Sequence, residues 1–287
     1  MLIPNSMPNR RLKVIHLFVS LPVGGAEDLL ASIMTGLDPT RFQVSALCLG
    51  AAGPVGEELR RRGYEVGELG LDIKRTSFWR IIAAIREVLR QRRPDILHTH
   101  LYHPNLYGRL ASIGLGVPGV VASVHNAYTR IKLHRCLWNH LLGYVTHRLL
   151  VSSRQVYEDV RRYDRLPAQK ILILPYGIRL SEVTCPLTKA QAKAALGIAG
   201  FCVGTIGRLE TQKGHQYLLA AAPKLLAAIP DLQILLVGDG RRRAELERQA
   251  QELGLQQVVH FLGTRRDLAR LYRAMDIFVL PSLWEGL

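Results

Sequence analysis

Short apolar runs, many of them β-branched, alternate along the whole chain with stretches in which apolar residues return every three or four positions. The runs 13–19 (KVIHLFV), 42–48 (FQVSALC), 95–98 (DILH), 119–124 (GVVASV), 148–151 and 170–174 (KILIL) predict strands. In 78–90, Ile81, Ile85, Val88 and Leu89 recur at helical spacing and Pro94 lies shortly beyond, which predicts a helix. A second series has strands at 201–206, 232–237, 258–261 and 276–280, with helices within 214–228, 241–253 and 266–274. Pro223 falls inside the first of those helices and is expected to kink it or mark a first turn. Strand–helix alternation of this kind predicts parallel sheets with helices on both faces. Between the series, 175–199 carries two prolines and a short Ala-rich stretch. The expected domains are therefore 1–178 and 200–287, joined by a linker over 179–199. The second series stops soon after its last strand, at PSLWEGL, so that domain is expected to be incomplete.

The length of 287 residues fits two domains. With 48% hydrophobic and 21% charged residues the chain can bury a core, which excludes a disordered polymer. No apolar run reaches the roughly 18 residues of a membrane span. Val14–Val19, behind Arg10, Arg11 and Lys13, resembles a signal peptide, but it is short, contains His16 and lacks a small-residue cleavage site. It reads as the first strand. Cys48, Cys136, Cys185 and Cys202 form neither a C-x-x-C pair nor a zinc spacing, and a reducing cytosol is expected.

The net charge of +15 is uneven. Up to Leu180 there are 25 Lys and Arg against 13 Asp and Glu, so +12 of it falls there. A one-sided basic surface predicts an anionic partner: phospholipid, phosphorylated carrier or nucleic acid. The plain alternative is a solvated arginine-rich surface. Aromatics are 7% and not interleaved with the basic runs, which argues against nucleic acid.

Ligands of open α/β sheets bind beyond the carboxyl ends of the strands. Pro22-Val23-Gly24-Gly25 follows the first strand and opens a helix, where backbone N–H groups can approach an anion; a Gly pair is also the ordinary content of a tight turn. His98 and His100 share one strand face, with His103 following. A metal pair is geometrically open to them, but no carboxylate or cysteine stands at ligand spacing, so they read as site-lining or structural histidines and no metal is expected. His125 ends the strand at 119–124, a position suited to a sugar or phosphate. In the second series Gly207-Arg208-Leu209-Glu210 ends a strand and Lys213-Gly214 opens the next helix. Two cations five residues apart at a helix N-terminus fit a diphosphate clamp. Gly238-Asp239-Gly240 ends the following strand, and Glu285-Gly286 comes last. There is no D-x-D, no P-loop and no G-x-S-x-G, which argues against metal-diphosphate transferases, P-loop NTPases and nucleophile-elbow hydrolases.

In this order the residues resemble the family-4 retaining glycosyltransferases of the GT-B fold. The resemblance runs through Gly24-Gly25-Ala26-Glu27, His98-Thr99-His100, His125 and Pro175-Tyr176-Gly177-Ile178. It continues through Gly207 to Gly214, Val237-Gly238-Asp239-Gly240, Phe261-Leu262-Gly263 and Pro281-Ser282-Leu283-Trp284-Glu285-Gly286. It implies an α/β chain of two facing Rossmann-like domains, the second incomplete, that transfers a hexose from a nucleotide-diphosphate sugar to a glycan or lipid-linked acceptor. Cell-surface polysaccharide synthesis is the expected setting, in the cytoplasm and peripheral at the inner face of an anionic membrane.

By the same resemblance Arg208 and Lys213 hold the donor diphosphate without metal or other cofactor, Gly25 lets the first loop reach it, and His125 contacts the transferred sugar. Gly24, His100, Gly207, Gly238, Gly240, Gly263, Thr264 and Gly286 line the substrates. Glu285 matches the first carboxylate of the family's Glu-x(7)-Glu motif. Its partner would fall eight positions on, past Leu287, so the chain by itself is expected to be inactive. Tyr176 and Arg179 stand where the family more often has Asn and Asp. Two alternatives share these features: a nucleotide-sugar 2-epimerase of the same fold, and a non-catalytic sugar-nucleotide-binding fragment.

Overall fold

Seven parallel strands form the first sheet: β1 (Leu12–Phe18), β2 (Phe42–Cys48), β3 (Glu65–Glu68), β4 (Ile96–His100), β5 (Gly119–Val124), β6 (Arg148–Val151) and β7 (Ile171–Ile173). Their spatial order is β3-β2-β1-β4-β5-β6-β7, so the direction of winding reverses between β1 and β4. Such a reversal opens a crevice at the carboxyl ends of the two strands. This computed structural model describes residues 10–22, 25–125, 132–175, 177–178 and 180–285. Gly24, Gly286, Tyr176 and Arg179 lie outside the described residues.

Alternation along β1 divides the core of the first unit. Ile15 and Leu17 pack with Ile81, Ile85 and Leu106 on one face, while Phe18 packs with Leu30, Met34 and Leu59 on the other. His16 shares the face of Phe18. β1 pairs on both sides, with β2 and with β4, so the run that resembled a signal peptide is a central strand.

The second compact unit begins at Gly177. Its sheet contains β8 (Cys202–Ile206), β9 (Gln233–Val237), β10 (Val259–Gly263) and β11 (Ile277–Phe278), all parallel, in the order β10-β9-β8-β11. Here the winding reverses between β8 and β11. The helix His215–Ala228 runs through Pro223, and Leu218, Leu219 and Ala222 bury its inner face against Ile234 and Leu236.

Three details depart from the sequence reading. β3 was not foreseen: in Glu-Val-Gly-Glu only Val66 is buried, and an edge strand needs no apolar run. Residues 180–199, read as part of a linker, belong to the second compact unit. Its helix Lys189–Ala194 is held by a Thr188 capping box, and Lys189 and Lys193 both reach the carboxylate of Asp276. That carboxylate also accepts from the Cys202 N–H at 2.9 Å, so it ties the span to the start of β8. Finally, β4 extends two residues beyond its predicted end, to His100.

Candidate functional site

In the first unit four histidines gather where the winding reverses. His16 is opposite His98 in the β1–β4 ladder, and His100 follows two residues on, on the same face. His16 Nδ1 lies 2.9 Å from His100 Nε2, and His100 Nδ1 lies 3.3 Å from His125 Nε2 beyond the end of β5. His98 Nε2 meets the Ser123 hydroxyl at 2.7 Å. Burial disfavours the charged form of every ring: His16 and His125 are pushed down to about 4, and His98 and His100 well below the usual imidazole range. Nitrogens of His16, His98 and His100 lie within 4.8 Å of one another. The backbone beside them is strained. Leu101 has φ 67° and ψ 177°, a region that is almost the preserve of glycine, and it immediately precedes the helix Tyr102–Ser112. Such a conformation costs on the order of 1–3 kcal/mol and persists only where neighbours dictate it. Of the expected phosphate loop, Gly25 is the first residue of the helix Gly25–Gly36.

In the second unit the glycine-rich strand ends are laced together by backbone. The Gly207 N–H donates to Val237 O, Leu209 N–H to Asp239 O, and Gly238 N–H to Gly263 O. At Gly238, φ is 133° and a Cβ would stand 2.0 Å from the Gly207 carbonyl oxygen, so no side chain fits. Gly207, Gly238, Gly240 and Gly263 thus form one packed edge; Thr264 is an exposed bend beside it.

Across the β8–β11 reversal, Lys213 Nζ donates to Glu285 Oε1 at 2.6 Å, with the side chains only 21% and 29% exposed. Gln212 reinforces the contact, donating to Trp284 O and accepting from the Leu283 N–H. Gly214, with φ 66°, sits so close to Pro281 that a Cβ would collide with its carbonyl oxygen. The stem of Lys213 lies along Gly207. Arg208 is exposed and takes no part in the ion pairs found among the described residues. Lys213 and Glu285, read separately in the sequence, therefore hold each other, while Arg208 is exposed beside Glu210, whose carboxyl its charge helps to lower.

Sequence reasoning passed over three residues of these sites. His16 was noticed only as a polar residue in the first strand, because its place here depends on pairing with a strand about 80 residues away. Leu101 carries no sign of its backbone. His215, the first residue of the helix after Gly214, is buried with both ring nitrogens unpartnered among the described residues, and burial lowers it to about 4. A cavity of ≈ 510 Å³ lies elsewhere, lined by Leu89, Arg93, Pro94 and Asp95 at the amino end of β4, and plays no part in this chemistry.

The family model described as Glycosyltransferase Family 4 matches residues 23–182, and that described as Glycosyl transferases group 1 matches 200–287. The UDP-Gal:alpha-D-GlcNAc-diphosphoundecaprenol alpha-1,3-galactosyltransferase of Escherichia coli is 27% identical over 291 residues, covering 96% of this chain and 75% of its own. The D-inositol 3-phosphate glycosyltransferase of Corynebacterium urealyticum is 33% identical over 219 residues, 67% of this chain and 51% of its own. Among solved structures, Anabaena HepE in complex with UDP and glucose superposes with a TM-score of 0.83 at 22% identity, over 96% of this chain and 76% of that one. WaaG, a glycosyltransferase involved in lipopolysaccharide biosynthesis, gives 0.72 at 18%, over 95% and 76%.

Proposed function

We propose, since this chain belongs to glycosyltransferase family 4 and has the GT-B fold, that it moves a hexose from a nucleoside-diphosphate sugar to a glycan or lipid-linked acceptor with retention at the anomeric carbon. The observation that carries this reading is the Lys213–Glu285 pair at the β8–β11 reversal, with exposed Arg208 on the same loop. A departing diphosphate needs positive charge already in place where negative charge develops. Arg208, Lys213 and the N-terminal end of the helix His215–Ala228 supply it, and no metal is invoked. When phosphate takes the place of Glu285 at Lys213, the carboxylate is released to accept hydrogen bonds from sugar hydroxyls. We assign His125 to the transferred sugar, as the family resemblance implies. The bond from the anomeric carbon to the diphosphate oxygen breaks, the acceptor hydroxyl adds from the same face, and its proton passes to the leaving phosphate oxygen. The E. coli relative, named for a UDP-sugar donor and a diphosphoundecaprenol-linked acceptor, supports the choice of both substrate classes.

Incubation with UDP-hexoses and a polyprenyl-diphosphate sugar, followed by NMR of the product linkage, tests the reading. A product with the donor's anomeric configuration is expected. An inverted linkage would refute retention, and release of a free 2-epimeric sugar without acceptor would favour the epimerase.

We further propose that the acceptor side rests on an anionic membrane. No helix among the described residues is long and apolar enough to cross one. The helix Leu133–Leu142, however, turns three leucines outward while Cys136 and Leu142 are buried. Leu133 is 82% exposed, Leu137 and Leu141 are exposed, and Tyr144, just beyond, is 76% exposed. Its polar Asn139 instead faces in, bonded to the buried Arg109 and to Asp164. No acidic residue occurs between Asp95 and Glu158, while Arg135 lies within the helix and Lys132 and Arg148 lie on either side of it in sequence. Apolar residues beside cations are the makings of an interfacial helix. Cosedimentation with phosphatidylglycerol vesicles is expected, weakening several-fold between 50 and about 300 mM salt as exposed charges are screened. Replacing Leu133, Leu137 and Leu141 by Ser is expected to remove what survives high salt. Binding that ignores salt, or a dimer that the triple variant dissolves, would point to a protein partner instead.

A further inference from the structure

We infer that His215 is a further donor-binding residue: buried and unpartnered in the free protein, it pairs as an imidazolium with the diphosphate of a nucleotide sugar bound beside Lys213. This rests on the proposed donor site and adds a charge that its permanent cations do not supply. His215 is the first residue of the helix His215–Ala228, directly after Gly214. It is 1% exposed, and neither ring nitrogen finds a hydrogen-bond partner among the described residues. Gly214 approaches Pro281 so closely that a Cβ would stand 2.0 Å from the Pro281 carbonyl oxygen. The hydroxyl of Ser282, the next residue along, is also buried without a partner among the described residues. Both orphaned side chains thus lie on the two segments that carry Lys213 and Glu285, where they cost the free protein stability. Such groups are rare, and a second task is one reason to keep them.

The neighbouring charges point to an anion. Two cations act on His215: Lys213 on its own loop, and Arg242 just before the helix Arg243–Glu252. In the free protein each is already answered. Lys213 holds Glu285, while Arg242 holds Glu245 and the side chain of Gln216. A proton on His215 would add an unanswered positive charge to a buried place beside two others. Burial first, and then those two cations, push its titration down to about 4. A nucleotide-sugar diphosphate brings two negative charges and displaces Glu285 from Lys213. In a site shielded from water, that anion favours any positive charge placed near it. An imidazolium has two N–H groups to donate and phosphate oxygens accept them, which makes a strong, charge-assisted pairing. A lysine or arginine at this position would keep its charge in the free protein too, against Lys213 and Arg242. Histidine supplies it only when it is answered.

Donor affinity then rises as the pH falls. The free protein protonates His215 only near pH 4. With the diphosphate in place, the ring is expected to take its proton from solvent near the ordinary imidazole value of about 6.5. Between those values the complex holds a proton that the free protein lacks, so acid favours the complex. From pH 8 to pH 5.5 the gain is about tenfold. A nucleotide-sugar diphosphate is a diester whose own charge is constant over that range, so the proton goes to the protein.

Calorimetric titration of UDP-glucose into the whole chain, in buffers of different ionisation enthalpy, counts the protons. Uptake close to one proton per donor is expected at pH 5.5, with affinity about tenfold above that at pH 8. His215→Leu, which fills the buried space with carbon, is expected to show neither the uptake nor the gain. His215→Gln keeps a hydrogen-bond donor but cannot charge, and is expected to lose both as well. Ring ¹⁵N shifts of His215 at pH 5.5 are expected to move from neutral to imidazolium values as UDP-glucose is added. Binding without uptake would overturn the inference and leave the donor site standing. Uptake that survives in both variants would do the same, because the proton would then belong to another group. No binding of UDP-glucose by the wild type at either pH would overturn the donor site and this inference together.

Discussion

Glu285→Gln is expected to tighten the binding of UDP by about fivefold while lowering sugar transfer at least tenfold. The two effects run in opposite directions because Glu285 plays two parts. In the unliganded protein it holds Lys213 at 2.6 Å, so a diphosphate must displace it and then sit beside its charge. Gln keeps the shape and removes the charge. The pair is partly shielded from solvent, and its net worth is about 1 kcal/mol, which is roughly fivefold in affinity. Toward the sugar, the carboxylate's hydrogen bonds to hydroxyls are charge-assisted and contribute about 1.5–3 kcal/mol, and most of that goes with the charge. Lys213→Ala has the reverse sign for UDP. It removes a charge-assisted bond to phosphate and leaves Glu285 facing the anion, so UDP affinity is expected to fall roughly 10- to 100-fold. Arg208→Ala, which removes an exposed cation that forms no ion pair among the described residues, is expected to cost less. The double variant at 213 and 285 should regain part of the Lys213→Ala loss. Calorimetric titration with UDP reads all four. Weaker UDP binding by Glu285→Gln, or unchanged binding by Lys213→Ala, would remove the diphosphate from this loop.

What could be read in the sequence, and what could not, follows from how local each feature is. β1, β2, β8 and β9 announce themselves because both faces of a central parallel strand are buried, and an apolar run results. Glu65–Glu68 gives no such signal at the sheet edge. The 179–199 span read as a linker because Pro175 and Pro186 are visible and the grip of two lysines on Asp276 is not. The same division holds at the sites. Strand-end glycines and the Arg208–Lys213 spacing are local patterns. That Glu285 matters came from resemblance to a family motif; that it grips Lys213 needed the β8–β11 reversal. His98 and His100 advertise a shared face through their i, i+2 spacing, whereas His16 joins them only through strand pairing. His215 hides as an ordinary first residue of a helix, and Leu101 as an ordinary leucine.

Acid is expected to destabilise both units between pH 6.5 and 4, before most carboxylates begin to titrate. The responsible groups are histidines that are neutral because they are buried. His16 and His125 in the first unit, and His215 in the second, are pushed down to about 4 by desolvation. An unfolded histidine titrates near 6.5. Below that pH the unfolded chain takes up protons that the folded chain refuses, so stability is complete above 6.5 and drains away as the pH falls to 4. One ring depressed that far represents about 3 kcal/mol over the window, a large part of the 5–15 kcal/mol typical of a folded domain. Carboxylates act later. Asp276 is held well below its usual range by Lys193, the Cys202 N–H and Lys189, so its contribution is lost only as pH falls below the ordinary carboxylate value. His215 allows a clean test, because both its ring nitrogens lack partners among the described residues. His215→Leu deletes an unsatisfied buried polar group and fills the space with carbon, which is expected to stabilise the second unit by about 1–3 kcal/mol at pH 7. It also deletes the proton uptake, so the gain should widen toward pH 4.5. Hydrogen exchange read by mass spectrometry at pH 7, 6, 5 and 4.5 follows each unit through its own peptides. The first unit should lose protection equally in the wild type and the variant, while the second should hold its protection only in the variant. Parallel loss in both units of both proteins would mean that His215 is not buried uncharged, and that acid acts through other groups.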